Sequence, residues 1–338
     1  MWSLFIEAMV VFVVSGYVTQ TLRRYFDARG VLDMPNSRSS HSRPVPRSGG
    51  LGIVLTFLPV VMLLLVRGVL SPSLAAAIAG GGVLIAGVGL ADDLYSLPIW
   101  FRSAVHVVAA AWAIWCIGGM APLDLGWFTW NWGWAGQLVA LIGLVWMTNL
   151  YNFMDGIDAL GGLEAVMAGS LGSLLLARQG RPDLAEVALV LAFASAGFLV
   201  WNWPPAKIFM GDVGSGFLGF VFGVLMIAGA KHQPPLVWTW LILMGVFIVD
   251  ATLTLTRRLL RGDPWYQGHR SHAYQRASRL WRSHAKVTAG VGLVNLLWLF
   301  PLAWWASASP SIALPLALAA LLPLALLAVY LRAGEPDA

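Results

Sequence analysis

The residues able to do chemistry in this chain of 338 residues fall into a few short clusters. Asp92-Asp93 closes an apolar run and is followed by Leu94-Tyr95-Ser96-Leu97-Pro98. Adjacent carboxylates can bind a hard divalent cation such as Mg²⁺, which often shares substrate phosphates. They also raise each other's pKa, which suits a base. A solvated pair capping the next helix is the plain alternative. Arg102 follows nine residues after Asp93 and is a candidate phosphate contact. Asn149, Asn152, Asp155 and Asp158 recur at intervals of three, a spacing that on a helix lines one face. Between Lys207 and Gly216, Asp212 stands among Gly211, Gly214 and Gly216. Glycines let a backbone approach a ligand closely, and a helix N-terminus just beyond would favour phosphate. There is no G-K-[ST], so this is not a P-loop; Phe209 either stacks on a base or packs. His269-Arg270-Ser271-His272 lies in the most basic stretch. No cysteine or nearby glutamate completes a zinc set. With Arg270 and Arg276 the two histidines suit phosphate, or the arginines meet anionic lipid head groups.

The elements that must position these groups are membrane helices. The chain is 59% hydrophobic and 11% charged, against about 25% charged in ordinary soluble domains. Its 18 Trp and 36 Gly fit the same medium, since Trp favours membrane interfaces and Gly is common in membrane helices. One cysteine, Cys116, excludes an internal disulfide and a Cys-based zinc site. A span needs about 20 mostly apolar residues. Hydropathy places about eleven spans, near 2–22, 50–69, 73–91, 102–119, 134–151, 162–177, 184–200, 214–230, 236–256, 287–306 and 311–331. The first lacks a basic start and a small-residue cleavage site, so it reads as a retained span. The fold class expected is all-α and polytopic, a single membrane-embedded domain over 1–338.

Charge then assigns the sides. Odd-numbered loops and the C-terminus hold 17 of the 21 Lys and Arg; the rest are Arg67, Arg178, Arg181 and Lys231. The positive-inside rule puts the odd loops in the cytoplasm and the N-terminus in the periplasm. All four polar clusters fall in odd loops. The first loop, from Pro35 to Gly50, is basic and hydroxyl-rich. With Arg38, His41, Arg43 and Arg47 it is either a topogenic loop or a cover over an anionic substrate. Asp250, near the cytoplasmic end of the ninth span, is a functional candidate by position, or pairs with Arg257 or Arg258. Polar stripes beside a span are costly unless they line a hydrated site. Carboxylates for Mg²⁺, glycine turns and a basic histidine loop on one face together suggest phosphate chemistry at the cytoplasmic surface.

These residues resemble those of the polyprenyl-phosphate N-acetylhexosamine-1-phosphate transferases, the WecA/MraY superfamily of glycosyltransferase family 4. The matching stretches are Asp33-Met34-Pro35-Asn36-Ser37-Arg38-Ser39-Ser40-His41, Asp92-Asp93, the run from Asn149 to Asp158, Phe209-Met210-Gly211-Asp212 and His269-Arg270-Ser271-His272. They keep family order and similar spacing across most of the chain. The first loop and the run from His269 to Gln275 look most like the WbpL-like branch, which starts O-antigen-type glycans.

The resemblance implies transfer of an N-acetylhexosamine-1-phosphate from a UDP-sugar to undecaprenyl phosphate, with UMP released, in the bacterial inner membrane. It implies Mg²⁺, with Mn²⁺ as a substitute, held by Asp212 with Asn152 as ligand or pyrophosphate contact. Phe209 would stack on uracil and Asp158 would bond its edge. Asp92 and Asp93 would act on the lipid phosphate as base or orienting groups, with Asp155 as a further catalytic carboxylate. His269, Arg270 and His272 would hold the diphosphate, and Arg102 and Arg47 would add phosphate contacts. Membrane lipids surround the protein, a homodimer is compatible, and no nucleic-acid partner is expected. The expected reaction is direct attack of the lipid phosphate on the β-phosphorus; an Asp nucleophile and two steps is the less favoured route.

Two departures stand out. The histidine cluster is sparser than in the peptidoglycan members, and Ala159 replaces a glycine common in relatives. The rival class is a transporter or flippase, which would need polar groups or broken helices at the midplane. A second rival enzyme class, the CDP-alcohol phosphotransferases, has a D-G-x-x-A-R signature that this sequence lacks.

Overall fold

The computed structural model describes residues 2–35, 43–263 and 269–336. His41 and Arg38 of the first loop lie outside the described residues. In chain order the elements are α1 (Trp2–Ala28), β1 (Leu32–Asp33), β2 (Val45–Pro46), α2 (Leu51–Val66), α3 (Pro72–Tyr95), α4 (Ile99–Ile117), β3 (Leu123–Asp124) and β4 (Thr129–Trp130). There follow α5 (Trp134–Met154), α6 (Leu160–Arg178), α7 (Pro182–Asn202), α8 (Asp212–His232), α9 (Leu236–Leu243), α10 (Gly245–Leu260), α11 (Ala273–Trp281), α12 (His284–Val294), α13 (Phe300–Ala308) and α14 (Ala313–Tyr330). The only strands among the described residues are these two short antiparallel hairpins, β1–β2 and β3–β4.

The protein is an all-α polytopic membrane protein. Eight helical runs are each long and apolar enough to cross a bilayer, and α9 with α10 makes a ninth bent by 77°. Two further apolar segments complete the hydropathy reading: α1, of 27 residues, and α2, of only 16. The expected span at 236–256 is therefore two helices meeting at Met244, not one. The span expected at 287–306 runs through α12 and α13 and is π-helical at Asn295–Leu299. The basic ninth loop contains a helix that hydropathy overlooks, α11, because its buried face alternates with Arg276 and Arg279.

Helix α8 is the central pillar. It is buried without interruption from Val213 to Leu225, as a helix apolar on all sides must be. Small residues let its neighbours approach closely. A Cβ on Gly219 would strike the Met147 carbonyl of α5, and one on Gly89 of α3 would strike the backbone at Asp212 and Val213. The first and seventh loops are zipped by backbone bonds. Phe209 N donates to Pro46 O, Gly49 N to Phe209 O and Gly50 N to Met210 O, each at 2.8 Å.

Loop parity is visible in the contacts. The first, third, fifth, seventh and ninth loops gather at one end, as the bonds from Ser48 to Asp93, Asp93 to Asp212 and Asp158 to His284 require. The C-terminal segment lies at the same end. Gly334 N donates to Ser271 O at 2.7 Å. Arg257 bonds Ala333 O (3.0 Å), Arg261 bonds Gly334 O, and Arg276 bonds Glu335 O (2.5 Å) and Pro336 O (3.1 Å). The opposite end is tied by Arg67–Glu7, by Lys231 to the Ile117 and Gly118 carbonyls, and by Trp238 to Asp124 O.

The close approach of α8 to the backbone just before α2 yields a test. A Cβ on Gly214 would lie 2.6 Å from Gly50 Cα, which cannot yield as a side chain could. Overpacking of this kind costs about 1–3 kcal/mol. Gly214→Ala should lower the thermal midpoint in detergent, while Gly143→Ala, whose Cβ meets nothing within 4 Å, should leave it close to the parent's.

Candidate active site

The site is built on the N-terminus of α8. That helix begins without a side-chain cap of its own: Gly211, at φ +73° and ψ 170°, precedes it. Asp93, at the end of α3, supplies the cap from across the bundle. Its Oδ1 accepts from Asp212 N (3.0 Å), and its Oδ2 from Val213 N (3.4 Å) and Ser48 Oγ (3.0 Å). A carboxylate here satisfies open amides and meets the positive end of the helix dipole. Asp93 is 4% exposed. Its oxygens are committed to positioning.

Asp212, the first residue of α8, is the carboxylate thereby aimed outward. Its Oδ1 accepts from Asn152 Nδ2 (2.8 Å), and Asn152 also reaches Ser215 Oγ (3.0 Å), which donates to Gly211 O (3.0 Å). Its Oδ2 accepts from Arg102 Nη1 (3.1 Å), which bonds Asp92 Oδ2 at 2.5 Å. Asp92 Oδ1 takes the Leu97 amide (2.6 Å) and so caps the turn after α3.

Asp93, Asn152, Asp155, Asp158, Phe209, Asp212 and Arg47 line one cavity of about 270 Å³. The stripe inferred from spacing is thus reached by another geometry. α5 ends at Met154, so Asp155 and Asp158 lie beyond the helix rather than on its face. Asn149 points elsewhere, bonding Val145 O and meeting His106 Nδ1 at 3.3 Å. Burial pushes the Asp155 carboxyl well above its ordinary range; Asp212, Asp158 and Asp93 push the same way, against one backbone hydrogen bond from Gly161. Asp158 is held on both sides, by Ala206 N on Oδ2 (3.0 Å) and His284 Nδ1 beside Oδ1 (3.3 Å).

A second cavity, of about 620 Å³, adjoins the first and shares Asp158 and His284 with it. Its walls carry Arg270, Arg279 and Arg282. The site is therefore a carboxylate chamber opening beside an arginine-walled one.

Three expected contacts sit differently. His272 is 3% exposed and does not line either cavity. Its Nδ1 is 3.2 Å from Asp250 Oδ1, while Asp250 also accepts from Ala273 N and Tyr274 N, both at 2.9 Å. Asp250 and His272 thus start α11, and the pairing of Asp250 with Arg257 or Arg258 gives way to this one. His269 stacks on His272 with centroids 4.8 Å apart. Burial, with His272 and Arg258 beside it, pushes His269 down to about 3. Arg102 likewise has its guanidinium on two carboxylates instead of the cavity.

Sequence reading missed Ser48, Asn202, Ser215 and His284. Asn202 donates to Ile208 O and accepts from Ala159 N, tying the fifth loop to the seventh (both 2.9 Å). Its isolation at the end of an apolar run was the available signal. His284 had none, since its partner is 126 residues away in sequence.

Among the described residues no three His, Cys, Asp or Glu side chains converge to hold a divalent ion alone. Mg²⁺ usually needs only one or two carboxylates, completing its shell with water and substrate phosphate. Asp212 and Asp155 line one cavity, where Asp212 helps to raise the Asp155 carboxyl, and together they fit that need.

A multi-pass helical protein with such a chamber has the parts of a membrane-embedded group-transfer enzyme. Residues 75–230 match the model of glycosyl transferase family 4. The chain is 29% identical over 300 residues to a probable undecaprenyl-phosphate N-acetylglucosaminyl 1-phosphate transferase of Bacillus subtilis, covering 86% of this chain and 83% of that protein. It is 28% identical to a decaprenyl-phosphate N-acetylglucosaminephosphotransferase of Mycobacterium tuberculosis, covering 88% and 80%. It is 27% identical to an undecaprenyl-phosphate alpha-N-acetylglucosaminyl 1-phosphate transferase of Yersinia pestis, covering 79% and 75%. The chain is thus similar to glycosyl transferase family 4 from α3 to α8, and over most of its length to transferase enzymes.

The capping role of Asp93 is testable. Asp93→Ala should destabilise the protein by about 1–3 kcal/mol, the cost of stranding buried donors. Asp93→Asn, which keeps one acceptor oxygen, should lose less. Thermal unfolding in detergent measures both.

Proposed function

We propose that the protein transfers an N-acetylhexosamine-1-phosphate from a UDP-sugar to undecaprenyl phosphate and releases UMP. The observation that carries this reading is the pair of adjoining cavities, one walled by Asp155 and Asp212 and the other by arginines, joined at Asp158 and His284. A nucleoside diphosphate sugar needs both halves: anionic groups for its cation, and guanidinium groups for phosphate or sugar oxygens. The relatives' names point to the same acceptor class and sugar.

In the proposed reaction an oxygen of the lipid phosphate bonds to the β-phosphorus of the donor. The bond from that phosphorus to the bridging oxygen breaks, and UMP leaves with the electron pair. Such transfers rest mainly on positioning and charge neutralisation. Asp212 with Asn152, and Asp155 nearby, would hold Mg²⁺, which when bound neutralises diphosphate charge. Phe209 would pack on the uracil ring and Asp158 would meet its edge. Arg47 and Arg270 would contact phosphate oxygens. Asp93 and Asp92 would act indirectly, by fixing α8 and Arg102.

The site end would face the cytoplasm of a bacterial inner membrane, as the excess of Lys and Arg in its loops supports. The product would start a cell-envelope glycan of O-antigen type, a reading supported by the WbpL-like pattern of the first and ninth loops. Translocation of a lipid-linked substrate fits less well, because the central helix α8 is apolar on every side.

Purified protein with Mg²⁺ should release UMP from at least one UDP-N-acetylhexosamine in the presence of undecaprenyl phosphate. A panel of UDP-sugars giving no UMP would reject the proposal. Asp212→Ala should abolish turnover with the protein still folded; near-parental turnover would remove Asp212 from the cation's shell.

A further inference from the structure

We infer that His284 and Thr288 are positioning residues that set Asp158 for donor recognition. The inference rests on the function proposed above. Thr288 stands one helical turn after His284, so both project from the same face of α12. Thr288 Oγ1 donates to Asp158 O at 3.0 Å. His284 Nδ1 lies 3.3 Å from Asp158 Oδ1 and 3.4 Å from Asp158 N, which donates to it. The same residue is thus held at its amide by His284 and at its carbonyl by Thr288, from one helix turn. Ala206 N holds the other carboxylate oxygen. That turn is itself fixed, since Ser283 Oγ accepts from Lys286 N at 3.3 Å and Thr288 is fully buried. Asp158 follows a turn and precedes Ala159, which sits at φ +66°; without α12 its side chain would have several rotamers. The ninth loop would then influence base recognition through α12 rather than through direct contact.

The test separates this from the function beneath it. Thr288→Val keeps shape and removes the hydroxyl. His284→Ala removes the imidazole, and His284→Gln returns a polar group. Thr288→Val and His284→Ala should each raise KM for the UDP-sugar about tenfold, the size of one lost hydrogen bond. The expected kcat stays within about twofold, KM for the lipid phosphate is unchanged, and His284→Gln recovers part of the loss. UMP binding by calorimetry, without lipid, should weaken by the same factor. A fall in kcat alone, or equal rises in both KM values, would overturn the inference. If the parent binds UMP but transfers nothing, the proposed function fails instead.

A separate observation carries a second inference. Glu164 of α6 and Asn295 in the π-helical turn are 0% and 2% exposed. Asn295 Nδ2 donates to Glu164 Oε2 at 2.6 Å. The other oxygen of each, Glu164 Oε1 and Asn295 Oδ1, is buried with no partner. One proton resolves both. We propose that Glu164 is a neutral carboxylic acid whose O–H donates to Asn295 Oδ1, closing a two-bond acid–amide ring between α6 and the π-turn. An ionised carboxylate there would leave its own Oε1 and Asn295 Oδ1 both stranded in apolar surroundings, a costly state in a membrane helix. Infrared difference spectra of the parent against Glu164→Gln at neutral pH should show loss of a carboxylic-acid C=O band. Glu164→Gln preserves both bonds and should keep the thermal midpoint within a degree or two, whereas Glu164→Ala and Asn295→Leu should each lower it by several degrees. Loss of carboxylate bands only, or a Gln variant as unstable as the Ala variant, would overturn the assignment.

Discussion

Asp93 holds the N-terminus of α8 from outside that helix. The amides of Asp212 and Val213, with the Ser48 hydroxyl, all converge on its two oxygens. Val213, the first buried residue of α8, gives its amide to Asp93 rather than to water. A single carboxylate from α3 therefore fixes the height and rotation of α8, and with it the direction of Asp212. The first loop is drawn into the same bond through Ser48, and its zipper with Phe209 and Met210 shapes the cavity wall. Removing that carboxylate would loosen three loops at once.

Around this anchor the charges are arranged in two tiers. Asp93 and Asp92 face inward and are satisfied by amides, a hydroxyl and Arg102. Asp212, Asp155 and Asp158 face the cavity, where burial first and the neighbouring carboxylates after it raise the Asp155 carboxyl well above its ordinary range. Asp250 with His272 repeats the anchor at the start of α11. Two helices near the site are thus started by an aspartate from elsewhere in the chain.

Much of this was legible in the sequence. The apolar runs locate the helices, loop parity puts the polar clusters at one end, and the motifs name Asp212, Asn152, Asp155 and Asp158. The reading fails where role depends on partners far apart in the chain. Asp92-Asp93 looks like a reactive pair, yet each member is tied to different amides. His269 and His272 look like phosphate contacts, but His272 turns inward to Asp250. The bend at Met244 is hidden because both halves of that span are apolar. Ala159 adopts the left-handed conformation that a glycine would take more easily, a strain that its residue type does not announce. Nothing in the spacing singles out His284.

The arginines that bind the C-terminal carbonyls give the segment after α14 a structural duty. Arg257, Arg261 and Arg276 are bonded to the backbone of residues 333–336. Gly334 N in turn donates to Ser271 O, next to the start of α11. Residues 333–336 therefore act as a strap that fastens the end of α10 to α11. The placement of the ninth loop beside the site depends on a stretch of chain that itself carries no site residue.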